Sequence, residues 1–195
     1  MTDNIFKRLH SLSKPGPQDE LPFLIEENPS HDFYFPISAH EALEVLHGVS
    51  GSQLGGITHI WMRRDKRSST PSANLPLAEF ICGSGVRVIV LYPWRRDLTL
   101  PLGASKPNQK LLRPFESLNA EVFELDHQWF ARFTESAIRQ YCIQYLLLQM
   151  FAYHIDWYNR HWSKANRKQA EDFANQYAVR WGLDAVEILN NIDPT

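Results

Sequence analysis

The chain is short of the features that most often declare a function. It holds two cysteines, Cys82 and Cys142, far apart and each in an apolar segment. That excludes a disulfide framework and a cysteine-spaced metal site, and it fits a reducing compartment. Long apolar runs are missing too: the longest, around Leu146 to Ala152, falls well short of the ~20 residues that cross a bilayer. The opening MTDNIFKRLHSLSKPGPQDE lacks the apolar core of a signal peptide. A soluble, cytoplasmic protein without membrane contact is the expectation. Charge of one sign is absent as well, with 20 Lys and Arg against 22 Asp and Glu. Global attraction to nucleic acid or acidic lipid is therefore excluded, and any basic site must be local. There is no Gly-x-Ser-x-Gly elbow, no Gly-Lys-Ser/Thr phosphate loop and no dinucleotide fingerprint.

What is present suits one ordinary domain over residues 1–195. Apolar residues make up 44% and charged residues 22%, so a substantial core is available. Residues 1–35 read as an irregular arm, with a short helix in NIFKRLHSL and a Pro-rich connector after it. Residues 36–125 read as a short helix plus a sheet. SAHEALEVLHG has Ser38 as N-cap, Glu41 completing a capping box and Gly48 as the stop. Three strands are expected at 57–64, 77–83 and 86–94, the last two joined by Gly83-Ser84-Gly85, with a further short strand near AEVFEL. Residues 126–195 read as helical: one stretch from about Asp126 to Arg160, broken at Thr134, and a last helix from after Ser163 to Gly182. The fold class is α+β, a small antiparallel or mixed sheet of about three to four strands followed by two long helices.

The helical part carries the most specific residues. QMFAYHID, at Gln149 to Asp156, is followed by AEDFANQYA. A zinc peptidase needs two His four apart on one helix face, a Glu beside the first as general base, and a third ligand from elsewhere. The pair of segments resembles the HELGHHID helix and the following E-D/x-F-A helix of zincin-like bacterial metallopeptidases of the short gluzincin type. The resemblance implies that Gln149 stands at the first ligand, Met150 at the catalytic Glu, Tyr153 at the second ligand and Glu171 at the third. His154 and Asp156 continue the pattern.

The departures decide the chemistry. Met150 cannot take a proton, Gln149 offers only a neutral amide oxygen, and Tyr153 would have to lose a phenolic proton near pKa ~10. Glu171 alone does not hold zinc. No catalytic residue, no metal ligand set and no cofactor is therefore expected. The resemblance implies a degenerate peptidase domain, a pseudoenzyme that binds a protein partner as an accessory subunit. A hydrolase with another site, using His154, Glu171 and Asp156, is the alternative from the enzyme class. YLLLQMFAY also reads as a helix simply buried on all sides. His154 and His161 stand about two turns apart, ~10.5 Å along a helix, too far to share an ion unaided.

A second feature is a basic rim. Arg63, Arg64, Lys66 and Arg67 follow the first strand, and Arg95 and Arg96 follow the third beside Trp94. If the three strands form an antiparallel meander, both clusters sit at one end of the sheet, where Lys106, Lys110 and Arg113 extend them. Such a rim offers a site for a protein partner or for nucleic acid. The plain alternative is a solvated edge that discourages strand pairing. A further group, Arg160, Lys164, Arg167 and Lys168, suits the C-terminus of the preceding helix.

Overall fold

The structure is a computed structural model and describes residues 12–64, 76–159 and 164–192. The expected helix in NIFKRLHSL lies outside the described residues except for Leu12. The connector after it is not irregular throughout. It contributes strand β1 (Phe23–Glu26) and the two-residue β2 (Phe33–Tyr34).

Helix α1 (Ala39–Ser50) begins with the expected capping box: the Glu41 amide donates to Ser38 Oγ at 3.1 Å, and the Ser38 amide donates to Glu41 Oε2 at 2.7 Å. The helix does not stop at Gly48. It runs on to Gly51, whose φ of 54° ends it.

Three strands follow: β3 (His59–Met62), β4 (Ala78–Gly83) and β5 (Val86–Leu91). They do not form a meander. The sheet order is β1-β3-β5-β4, with β1, β3 and β5 parallel and β4 antiparallel to β5. The two-residue turn Ser84-Gly85, with φ of 51° and 83°, closes the β4–β5 hairpin in the conformation that matches strand twist. The parallel strands explain the near-continuous apolar runs in β3 and β5, because both faces are covered. Ile60, Met62, Ile89 and Leu91 pack towards the helices. Trp61, Val86, Val88, Val90 and Tyr92 form the other face, with Leu12 among them.

A second, three-stranded antiparallel sheet was only partly visible in the sequence. Its order is β7 (Thr99–Gly103), β9 (Gln128–Arg132), β8 (Glu121–Leu125), and β6 (Trp94–Arg95) pairs separately with β2. Helix α2 (Gln109–Ser117), capped by Asn108, precedes β8. The expected helix from Asp126 is thus corrected to a strand. Asp126 and His127 adopt positive φ, 48° and 59°, and turn the chain back as a hairpin. Helix begins only after Thr134, whose Oγ1 accepts from the Ala137 amide at 3.2 Å.

From there α3 (Glu135–Tyr141), a π-helical segment at Cys142–Leu147 and α4 (Leu148–Asn159) form one continuous run. The last helix, α5 (Arg167–Ile192), continues ten residues beyond the stop expected at Gly182. Gly182 is instead a close contact: a Cβ there would lie 3.2 Å from Gln144 Cγ, and Gln144 Nε2 donates to the Gly182 carbonyl at 3.3 Å. The main core lies between the four-stranded sheet and α1, the π segment, α4 and α5. A separate aromatic cluster, including Trp94, Phe115 and Phe133, joins the second sheet to α3. The class is α+β, and no helix among the described residues is long and apolar enough to cross a membrane.

Candidate functional site

Helices α4 and α5 pack along each other, which brings part of the sequence-derived constellation together. Gln149 and Tyr153, four residues apart, face α5. Gln149 Nε2 donates to Asn175 Oδ1 at 3.0 Å. Burial raises the Tyr153 phenol above its ordinary value, the negative charge of Glu171 adds to this, and Arg167 opposes it. Glu171 accepts from Arg167 Nε at 2.8 Å, one helical turn back. The three positions that the resemblance gives to metal ligands therefore lie along the contact of the two helices, with Gln149 met by Asn175 and Glu171 by Arg167.

Met150 and His154 turn away. Met150 is buried in the main core. His154 is fully buried on the sheet side of α4, edge-on to Phe80 at 6.1 Å and stacked on Phe151 at 5.8 Å. Burial lowers its pKa to about 4, nearby Arg87 pushes the same way, and the backbone at Gly55 and Gln53 opposes. Asp156 is buried as well, one turn before the end of the described part of α4. The expectation that His154 lines one site with Glu171 is corrected by helical phase: it stands about 140° around α4 from Gln149, whereas Asp156, seven residues on, returns to nearly the face of Gln149, about 10.5 Å further along the axis. His161 and Arg160 lie outside the described residues.

This arrangement does not fit zinc. Two of the three converging groups are a neutral amide and a phenol that holds its proton, and the carboxylate is engaged by a guanidinium. Among the described residues no group of three or more His, Cys, Asp or Glu is placed to hold a metal ion. Met150, at the position that the resemblance gives to the catalytic Glu, has no group that accepts a proton.

Two residues of this cluster escaped the sequence reading, Arg167 and Asn175. Both stand four residues from Glu171 on α5, one on each side, and this spacing was the available signal.

The basic rim is arranged differently from the expectation. β3 and β5 do run in the same direction, so Arg63 and Arg64 leave the sheet at the end where the chain continues towards Arg95 and Arg96. Three of the cations are engaged, however. Arg63 lies 4.8 Å over the Trp61 ring. At Arg64 the contact is made by the backbone, whose amide donates to Glu27 Oε2 at 2.9 Å. Arg95 is ion-paired with Asp97, and Arg96 Nε donates to the His31 carbonyl at 3.0 Å while lying over Tyr34.

Trp94 is not on the rim. It is 3% exposed, edge-on to Phe133 and Tyr141 at 5.4 and 5.7 Å, and it belongs to the aromatic core. Lys66 and Arg67 lie outside the described residues. Lys106 stands over Trp129 of the second sheet at 5.7 Å, and Arg113 is exposed on α2.

No family model, no curated protein and no solved structure matches this chain.

Proposed function

We propose that the chain is a catalytically inactive, zincin-like domain that works by binding a protein partner, as an accessory subunit of a larger assembly. The observation that carries this reading is the α4–α5 contact. There Gln149, Tyr153 and Glu171, which the resemblance would make a metal triad, lie along one helix contact, where Gln149 and Glu171 bond to Asn175 and Arg167 and Tyr153 retains its proton. A helix pair built for a metal and then relieved of it would keep this convergence while replacing ligands by groups that satisfy one another. The alternatives draw less support. A hydrolase using His154, Asp156 and Glu171 needs His154 and Asp156 together, but two residues apart they stand on opposite sides of α4, His154 on the sheet side. A nucleic-acid module needs free cations, whereas Arg95 is neutralised by Asp97 and Arg63 and Arg96 cover rings of the same chain.

The test is metal content by mass spectrometry, for the natural chain and for a Gln149→His/Tyr153→His variant, both purified without tag or chelator. The expected result is no stoichiometric zinc in the first and about one per chain in the second, lost again on Glu171→Ala. One zinc per natural chain would overturn the pseudoenzyme reading. A double variant that folds but takes no zinc would overturn the zincin-like geometry. In parallel, the binding role requires a protein that co-purifies at fixed stoichiometry.

A further inference from the structure

Helix α5 is apolar on two opposite sides at its middle. One side is core, with Tyr177, Ala178, Gly182 and Ala185 buried. On the other, Val179 and Leu183 are each 79% exposed, the most exposed large apolar side chains among the described residues. They stand four apart on one stripe, and half-buried Val186 continues it. A helix that is apolar around its circumference is one that has packing on both sides.

The charges beside the stripe say what the second layer is. Arg180 lies at its N-terminal flank and Glu187 seven residues on at its C-terminal flank, both exposed. Among the described residues neither is ion-paired within the chain; Arg180 lies 5.1 Å over the ring of its neighbour Trp181, a contact that leaves its charge without an acidic partner. Two such helices laid antiparallel across a two-fold axis between positions 183 and 184 bring Arg180 of each copy to Glu187 of the other. The same register sets the two Leu183 side chains against each other at the axis and Val179 beside Val186 of the second copy. A parallel pairing would instead leave Arg180 and Glu187 of the two copies seven residues apart in height, with no Arg180–Glu187 contact.

We infer that the chain self-associates through the Val179–Leu183 face of α5 as an antiparallel, two-fold dimer. The interface is isologous, so each favourable contact occurs twice. A single helix pair buries less than the about 800 Å2 per partner of a standard interface, so the association is weak and concentration-dependent. It is independent of the zincin-like reading, since Gln149, Tyr153 and Glu171 are not part of this face.

The experiment is sedimentation equilibrium on the full chain over micromolar to millimolar concentration, with circular dichroism confirming that each variant folds. The natural chain is expected to dimerise, and Leu183→Glu or Val179→Lys to weaken this by about tenfold or more. Arg180→Glu and Glu187→Arg each weaken it, and the two reversals combined in one chain restore it. A natural chain that stays monomeric throughout overturns the inference. So does a dimer indifferent to both apolar substitutions, or a combined reversal that fails to recover what the single reversals lost.

Discussion

Gly48 of α1 faces Ile188 of α5 so closely that a Cβ added to the glycine would lie 2.5 Å from Ile188 Cδ1. The glycine is thus a packing device inside a helix, kept despite the ~1 kcal/mol that glycine costs there relative to alanine. Gly48→Leu is expected to destabilise by about 1–3 kcal/mol through overpacking. Ile188→Ala in the same chain should recover part of that loss. Urea denaturation of the four members of the cycle measures the coupling, and strictly additive effects would show that the two residues do not compete for space.

Glu41 serves two partners. It closes the capping box on Ser38, and it accepts from Arg139 of α3 at 2.7 Å in a pair that is largely out of solvent. Although burial works against it, the Ser38 amide and the Arg139 guanidinium hold its carboxyl below the ordinary value. Glu41→Ala removes one half of the capping box and takes from the half-buried Arg139 its carboxylate, leaving it the Pro36 carbonyl, so a loss of about 2–3 kcal/mol is expected. Thermal or urea unfolding at neutral pH reads it. A change within about 0.5 kcal/mol, the scale of an ordinary surface substitution, would contradict the role given to this pair.

Acid should unfold the chain through its buried histidines. His154 has a folded pKa of about 4, and burial also lowers that of His59. Between the folded value and the unfolded value near 6.5, the unfolded state binds more protons, so stability falls as pH falls through that window. A single group shifted as far as His154 contributes about 2 kcal/mol of loss between pH 7 and pH 5. His154→Gln should flatten the slope by roughly that amount, with the remainder from His59. An unchanged slope would rule out His154 as its source.

The two thiols should differ in reactivity. Cys142 is buried and its thiol is pushed up to about 12, whereas Cys82 is only half-buried on β4, where burial also raises its pKa. With an aromatic disulfide reagent under native conditions, Cys82 is expected to react slowly and Cys142 only on unfolding. Mass spectrometry of the labelled peptides assigns each site. Label on Cys142 in the folded chain would mean that the π segment opens locally.

Local signals carried the sequence reading where the structure obeys them locally. Ser38 and Thr134 cap helices because a hydroxyl in that position satisfies an amide two or three residues on, whatever the tertiary context. The Ser84-Gly85 hairpin is equally local. What failed depends on contacts distant in sequence. Gly48 and Gly182 looked like stops, and are interior positions where another helix comes close. QWFAR looked continuous with helix because the Asp126-His127 turn contains no glycine. The rim read as a row of free cations because Asp97 is brought to Arg95 by a turn the spacing does not show, and the ring beneath Arg96, Tyr34, comes from another part of the fold. In the candidate site, i,i+4 spacing placed Gln149 and Tyr153 correctly on the face towards Glu171. The same periodicity, followed further, would have turned His154 away.

The π-helical segment at Cys142–Leu147 bears on kinship. A π turn arises when one residue is added to an α-helix and the flanking turns keep their places. A homologous chain with an unbroken α-helix here would therefore be one residue shorter between Thr134 and Gln149. An alignment that keeps both Thr134 and the Gln149–Tyr153 pair in step would have to open a single-residue gap among these six positions. An ungapped comparison, however alike the two chains, would set every residue of one helix half against the wrong partner.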